Sequence, residues 1–179
     1  MPDFDVFASM LLEEAKRFLE RATEARGGAG EAPNLHAALM LAVCSLEAHV
    51  NAVADEMSQR DGLNPHELSV LLEKEVSLQD GSYQLENRLK IFRLEDRLDF
   101  LHTRFGIKPD VHGEWRGRLA GALSLRNQLT HPRGVPLITV DGVKQSVRAV
   151  IDTIDALYQA LYDRPFPVAT RELASKLDF

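Results

Sequence analysis

A single cysteine, Cys44, in 179 residues excludes an internal disulfide and fits a reducing compartment. No apolar run reaches the ~18 residues of a membrane span. The N-terminal Met1-Pro2-Asp3-Phe4-Asp5 is acidic where a signal peptide is basic, so the expectation is a cytoplasmic protein with no membrane partner. There is no Gly-rich phosphate loop, serine nucleophile elbow or pair of catalytic carboxylates. His36, His66, His102 and His112 show no metal-ligand spacing with one another or with Cys44; they read as surface or capping residues, with no metal or cofactor expected. Internal repeats and low-complexity segments are lacking too. Positive charge is also short: the formal net charge is −6, which argues against coating nucleic acid by bulk electrostatics.

What remains is ordinary globular composition, 45% hydrophobic and 27% charged, long enough to bury one core without staples. The pattern predicts an all-α, antiparallel bundle of four to six helices over residues 1–162, with a tail over 163–179. A first helix is expected over Phe4–Arg26, with Phe7, Met10, Leu11, Phe18 and Leu19 as its apolar stripe and Gly27-Gly28-Ala29-Gly30 ending it. A second, from Pro33-Asn34 to about Arg60, is apolar almost all round and reads as the central helix, with Cys44 as a buried filler. Asn64-Pro65-x-Glu67 is a capping box opening a short helix to about Val76. Gln79-Asp80-Gly81-Ser82 reads as a loop, and Leu85–Phe105 as a helix stopped by Gly106 and Pro109. A helix from Gly113 to Thr130 should end where Pro132 disfavours helical geometry at His131. Leu137–Gly142 suggests a short strand and turn, Val143–Tyr162 a last long helix, and Thr170–Leu177 a short helix in the tail.

Charge is uneven along this layout. Residues 1–60 carry five Lys/Arg against ten Asp/Glu, whereas residues 110–148 carry six against three. In the basic part lies Arg126-Asn127-Gln128-Leu129-Thr130-His131. Five residues apart on an ideal helix, Arg126 and His131 are offset by about 140° and do not share a face. A chain that bends at Pro132 lets the imidazole turn back toward Arg126. Histidine moves protons near neutral pH, and arginine holds phosphate and stabilises developing charge. Asn127 can orient phosphate or ribose, while Arg133 can meet a backbone phosphate.

This motif resembles the Arg-polar-x-x-x-His signature of the HEPN superfamily of prokaryotic ribonucleases and toxins. Ser45-Leu46-Glu47-Ala48-His49-Val50-Asn51 is similar to the acidic helix segment of several HEPN families. The resemblance spans two helices and the helical layout, about half of the chain. It implies a homodimer with both motif copies facing one cleft, and metal-independent cleavage in which the RNA 2′-hydroxyl attacks the adjacent phosphate. Arg126, His131 and Asn127 would be catalytic, in a toxin–antitoxin or antiviral defence setting with an antitoxin or regulatory protein as partner. HEPN toxins paired with nucleotidyltransferase antitoxins often carry a tyrosine two residues after the histidine. Pro132 and Arg133 follow here instead, which counts against that pairing.

Glu47, Asn51 and Asp55 form one polar line on the central helix, and Ser45, His49 and Glu56 another. Glu47 is a supporting candidate: if buried it needs a partner, and Arg126 is one. Arg116 and Arg118 can follow an RNA backbone or form a solvated face, and Trp115 with Leu119 and Leu123 reads as core or dimer surface. Two other readings stand beside the nuclease. One is a non-catalytic HEPN-like module binding a nucleotide or protein; the other is a structural helical dimer.

Overall fold

The computed structural model describes residues 4–107 and 113–178. Pro109 and His112, the proposed helix stop and one of the histidines, lie outside the described residues. Among them are six α-helices: α1 (Phe4–Glu24), α2 (Glu31–Ser58), α3 (Pro65–Leu72), α4 (Leu94–Phe105), α5 (Glu114–Thr130) and α6 (Val140–Tyr162). A two-stranded hairpin, β1 (Lys74–Gln79) and β2 (Ser82–Leu89), lies between α3 and α4. The helical class expected from the sequence is therefore observed, with a small sheet added.

α2 is the hub, packing against α1, α3, α4, α5 and α6. Leu35, Leu39, Leu46, Val50 and Met57 are buried on it, and its alanines Ala38, Ala42 and Ala54 let neighbouring backbones approach. By length and composition α2 would also pass for a membrane span, contrary to the reading of its apolar run; its burial inside the bundle is that of a core helix. α1 runs antiparallel to it. The short connection joins their near ends, and the Ser45 hydroxyl on α2 donates to the Ala8 carbonyl at the far end of α1 (2.8 Å). α5 and α6 form a second antiparallel pair: Leu125 lies against Gly142 near the connection, and Arg118 pairs with Asp152 farther along.

Local chemistry explains several boundaries. Asn64 Oδ1 accepts from the His66 and Glu67 amides at 2.9 and 3.0 Å, while Glu67 accepts from the Asn64 amide at 2.9 Å, completing the capping box. α5 stops at Thr130, one residue before the pre-proline His131, whose amide still donates to the Asn127 carbonyl (2.9 Å). α6 begins earlier than its apolar pattern, at Val140, because the Thr139 hydroxyl caps the Gly142 amide (3.1 Å); the expected strand over 137–142 is absent.

Other expectations are corrected. Residues 85–89 are strand rather than helix, because Asp80 (φ 50°) and Gly81 (φ 81°) form a two-residue turn that pairs Leu78 with Tyr83 and Val76 with Leu85. The tail holds only a 3-10 turn at Ala169–Arg171, fastened to α1 through Glu13. The buried stripe of α1 is Ala8, Leu12, Ala15, Leu19 and Ala22, so Phe7 and Met10 face outward, about half exposed. Cys44 is exposed rather than a core filler. His102 is buried rather than superficial, stacked on the Trp115 ring with centroids 5.2 Å apart, and Trp115 is core.

Candidate functional site

The two polar lines of α2 separate, except that Glu56 is exposed and accepts from the Tyr162 hydroxyl (2.6 Å). Ser45 and His49 point inward, the imidazole Nδ1 meeting the Ser45 carbonyl at 2.8 Å and the ring edge meeting Phe166. Glu47, Asn51 and Asp55 point outward. α5 lies beside that outward line and brings Arg126 to Glu47, with Arg126 Nη2 3.6 Å from Glu47 Oε1. At that distance the contact is electrostatic rather than a hydrogen bond. Arg126 is mostly buried, and its Nε–H finds no hydrogen-bond partner.

Arg126 and Glu47 lie on a cleft of about 700 Å³ between α2, α4, α5 and the segment leaving β2. His131 lies on a different depression, an open groove of about 430 Å³ formed with Ser124, Gln128, Arg133 and Val135. Asn127 borders both and is their junction. The chain thus joins Arg126 with Glu47 and Asn127, and His131 with Asn127 and Arg133, without placing Arg126 and His131 in one concavity. His131 has φ −132° and ψ 60°, outside helical geometry, so the imidazole leaves the helix where the proline imposes the bend.

Arg116 and Arg118 border neither depression. Arg116 pairs with Asp99, with Nε to Oδ1 at 2.8 Å, and its guanidinium sits 4.5 Å from the Trp115 ring centroid. Arg118 pairs with Asp152 at 3.4 Å. Both form exposed ion pairs on the bundle surface, apart from the two depressions. Cys44, one turn before Glu47, is open to solvent at its surface, yet partial desolvation and then the Glu47 carboxylate hold its thiol above the ordinary value, with Arg126 opposing. It is therefore a protonated thiol rather than a nucleophile near neutral pH. Among the described residues no group of three His, Cys, Asp or Glu side chains is placed to hold a metal ion.

Arg97 is the site residue that sequence reasoning missed. It is 5% exposed, donating from Nη1 to Asn51 Oδ1 (2.7 Å) and from Nη2 to the Leu71 carbonyl (2.9 Å), with Glu73 at 3.2 Å. Burial pulls its pKa down and Glu73 and Glu47 push it back up. A guanidinium stays cationic under that balance. The signal was available: Arg97 follows Leu94 by three and precedes Leu101 by four, a charge on the apolar face of its helix.

Comparison of the chain with family models, with curated proteins and with solved structures gives no match.

Proposed function

We propose that this chain is a HEPN-like, metal-independent endoribonuclease of a toxin–antitoxin or phage-defence type, acting in the cytoplasm as a homodimer. The observation that carries the reading is the Arg126-Asn127-x-x-x-His131 motif at a helix end, with the Arg126 guanidinium beside Glu47 on a cleft and His131 at the bend. In this reading Arg126 neutralises phosphate and transition-state charge and Asn127 orients the phosphate. His131 transfers the proton as the RNA 2′-hydroxyl attacks phosphorus. The bond to the 5′-oxygen breaks, leaving a 2′,3′-cyclic phosphate and a 5′-hydroxyl. Glu47 positions Arg126, and Arg133 meets the strand beside His131.

Exposed apolar residues favour the dimer. Leu89 (68% exposed) and Ile91 (78%) border the Arg126 cleft, and Val135 (99%) borders the His131 groove. Apolar exposure around a polar site is what a partner surface covers. A second copy seated there would bring its motif toward the first and supply the convergence that one protomer lacks.

The separation of Arg126 and His131 into two depressions also favours the rival, a non-catalytic module binding a nucleotide or a protein. The test is an RNA oligonucleotide carrying a single 2′-deoxy substitution at the mapped cleavage position, incubated in EDTA. The nuclease reading expects cleavage of the all-ribo strand to cyclic-phosphate ends and none at the substituted position. Cleavage that ignores the 2′-deoxy change, or no cleavage of structured RNAs, overturns it.

A further inference from the structure

The cleft holding Arg126 shares lining residues with a second cavity of about 640 Å³, bordered by Tyr158, Tyr162 and Asp55. Arg97, Asn51, Glu73 and Leu89 line both spaces, so Arg97 stands at their junction. More than nine-tenths of buried polar atoms in native proteins are hydrogen-bonded. Here the Nε–H groups of Arg97 and Arg126, two guanidiniums on one cleft, are both buried and without hydrogen-bond partners. Both Nε–H groups are sealed from solvent as well, so an acceptor entering the cleft meets them once the guanidinium turns toward it.

The surroundings hold Arg97 in place rather than saturate it. Asn51, Leu71 and Glu73 take its Nη groups, and Glu73 also accepts from the Phe92 amide (3.2 Å), which fixes the segment leaving β2. Around the cleft Arg93, Arg97 and Arg126 face Glu47, Glu73 and Glu95. The carboxylate nearest Arg126 stands at 3.6 Å, too far for a hydrogen bond, so an anionic oxygen can displace it.

We propose that this cleft is a phosphodiester subsite built on Arg97 and Arg126, seating the RNA strand beyond the position where Asn127 and His131 act. The naming of RNA as the ligand rests on the ribonuclease reading; the anion subsite itself rests on the two arginines. A strand seated there would run from the Arg133 groove across Asn127 into the cleft, which gives the chain a directional footprint several nucleotides long. Leu89, exposed at the rim of both cavities, would lie beside it.

The experiment measures binding of a fluorescent, fully 2′-O-methylated RNA, which cannot be cleaved by its own 2′-oxygens, by anisotropy over a salt series. Arg97→Gln and Leu89→Glu are compared with wild type, and Leu78→Glu, also exposed on the hairpin but off the cleft, is the control. Leu89→Glu puts a negative charge at the rim without touching the buried contacts of Arg97, and with its solution mass matched to wild type by light scattering it reads the subsite apart from the dimer if Arg97→Gln fails to fold. Both variants are expected to raise Kd about tenfold, Arg97→Gln by losing one charge-assisted contact and Leu89→Glu by repelling the phosphates. The slope of log K against log salt should fall by about 0.7 for Arg97→Gln. Leu78→Glu should bind as wild type does. Unchanged Kd in Leu89→Glu and in folded Arg97→Gln, with wild type still cleaving RNA, overturns the subsite and leaves the nuclease reading standing. Weakened binding in Leu89→Glu, with wild type unable to cleave, supports the subsite and overturns the nuclease. Wild type that does not bind the RNA overturns the subsite.

Discussion

Two charged residues of α1, Glu13 and Lys16, are fully buried, and the outcomes of replacing them should be opposite. Glu13 is the hub of the tail. It accepts from Arg171 Nη2 at 2.7 Å and from the Lys176 amide at 2.8 Å, and it is the carboxylate beside Lys16 Nζ at 3.6 Å. Among the described residues that is the one ion pair within 4 Å of Lys16 Nζ, and its ammonium has no hydrogen-bond partner. Glu13→Gln leaves a buried cation without its counter-charge and weakens the tail, a loss of about 3–5 kcal/mol. For a chain of this size that lowers Tm by about 6–20 °C. Lys16→Met keeps the volume and removes the poorly matched charge, leaving Glu13 its Arg171 and Lys176 partners, so the change should be neutral or stabilising by about 1 kcal/mol or more. The pH response separates them further. Burial pulls the Lys16 pKa below its ordinary value of 10.5. In the window below 10.5 the unfolded chain therefore holds a proton that the folded chain releases, and folding stability rises with pH. That rise should be present in wild type and absent in Lys16→Met. Urea unfolding of the three proteins between pH 7 and 10 measures all of this. A Lys16→Met protein destabilised as much as Glu13→Gln would refute the reasoning, because it would mean that the ammonium is a net stabilising partner.

Burial likewise lowers the His49 pKa below its ordinary value of 6.5, with the Ser45 carbonyl opposing. Below about pH 6.5 the unfolded chain takes a proton that the folded chain refuses, so His49 makes stability fall with acid; the wild-type loss between pH 7 and 5.5 should exceed that of His49→Gln in urea melts. Asn64→Ala removes the acceptor of both capping amides and should cost about 1 kcal/mol, a Tm drop of about 2–4 °C by calorimetry, with RNA cleavage unchanged. The Glu47–Arg126 contact is 3.6 Å long with Glu47 48% exposed, so Glu47→Gln should lose at most about 1 kcal/mol and slow cleavage no more than about fivefold in single-turnover assays. A hundredfold loss would make Glu47 a participant in the chemistry rather than a positioning residue.

The features legible in the sequence are those governed by near neighbours. The Asn64–Glu67 cap, the Pro132 stop and the all-round apolar α2 each follow from a few residues, and the helix periodicity of α5 and α6 does too. The Glu47–Arg126 contact was expected of a buried Glu47 in need of a partner; the contact is present, but with Glu47 half-exposed. The hairpin was not expected, since Leu85, Leu89 and Phe92 repeat at a helix-like spacing and β2 is rich in Glu, Asn and Arg. One deciding signal is local, the Asp80-Gly81 turn, and the pairing of Val76 with Leu85 that it sets up outweighs weak propensity. The α1 stripe was misplaced because the large residues Phe7 and Met10 drew the eye from the alanines that pack on α2. For Arg97 the local signal is only a charge on the apolar face of α4. Its partners Asn51, Leu71 and Glu73 come from other elements, and only the fold brings them together.

The central claim is that Arg126 and His131 act together on the phosphodiester. The direct measurement is single-turnover RNA cleavage in EDTA by wild type, Arg126→Ala, His131→Ala and the double variant, each checked for folding by circular dichroism. The account predicts a loss of about 10²–10⁴-fold in each single variant, with the double variant little worse than either, because the two residues serve one transition state. Folded single variants that cleave at the wild-type rate would contradict it.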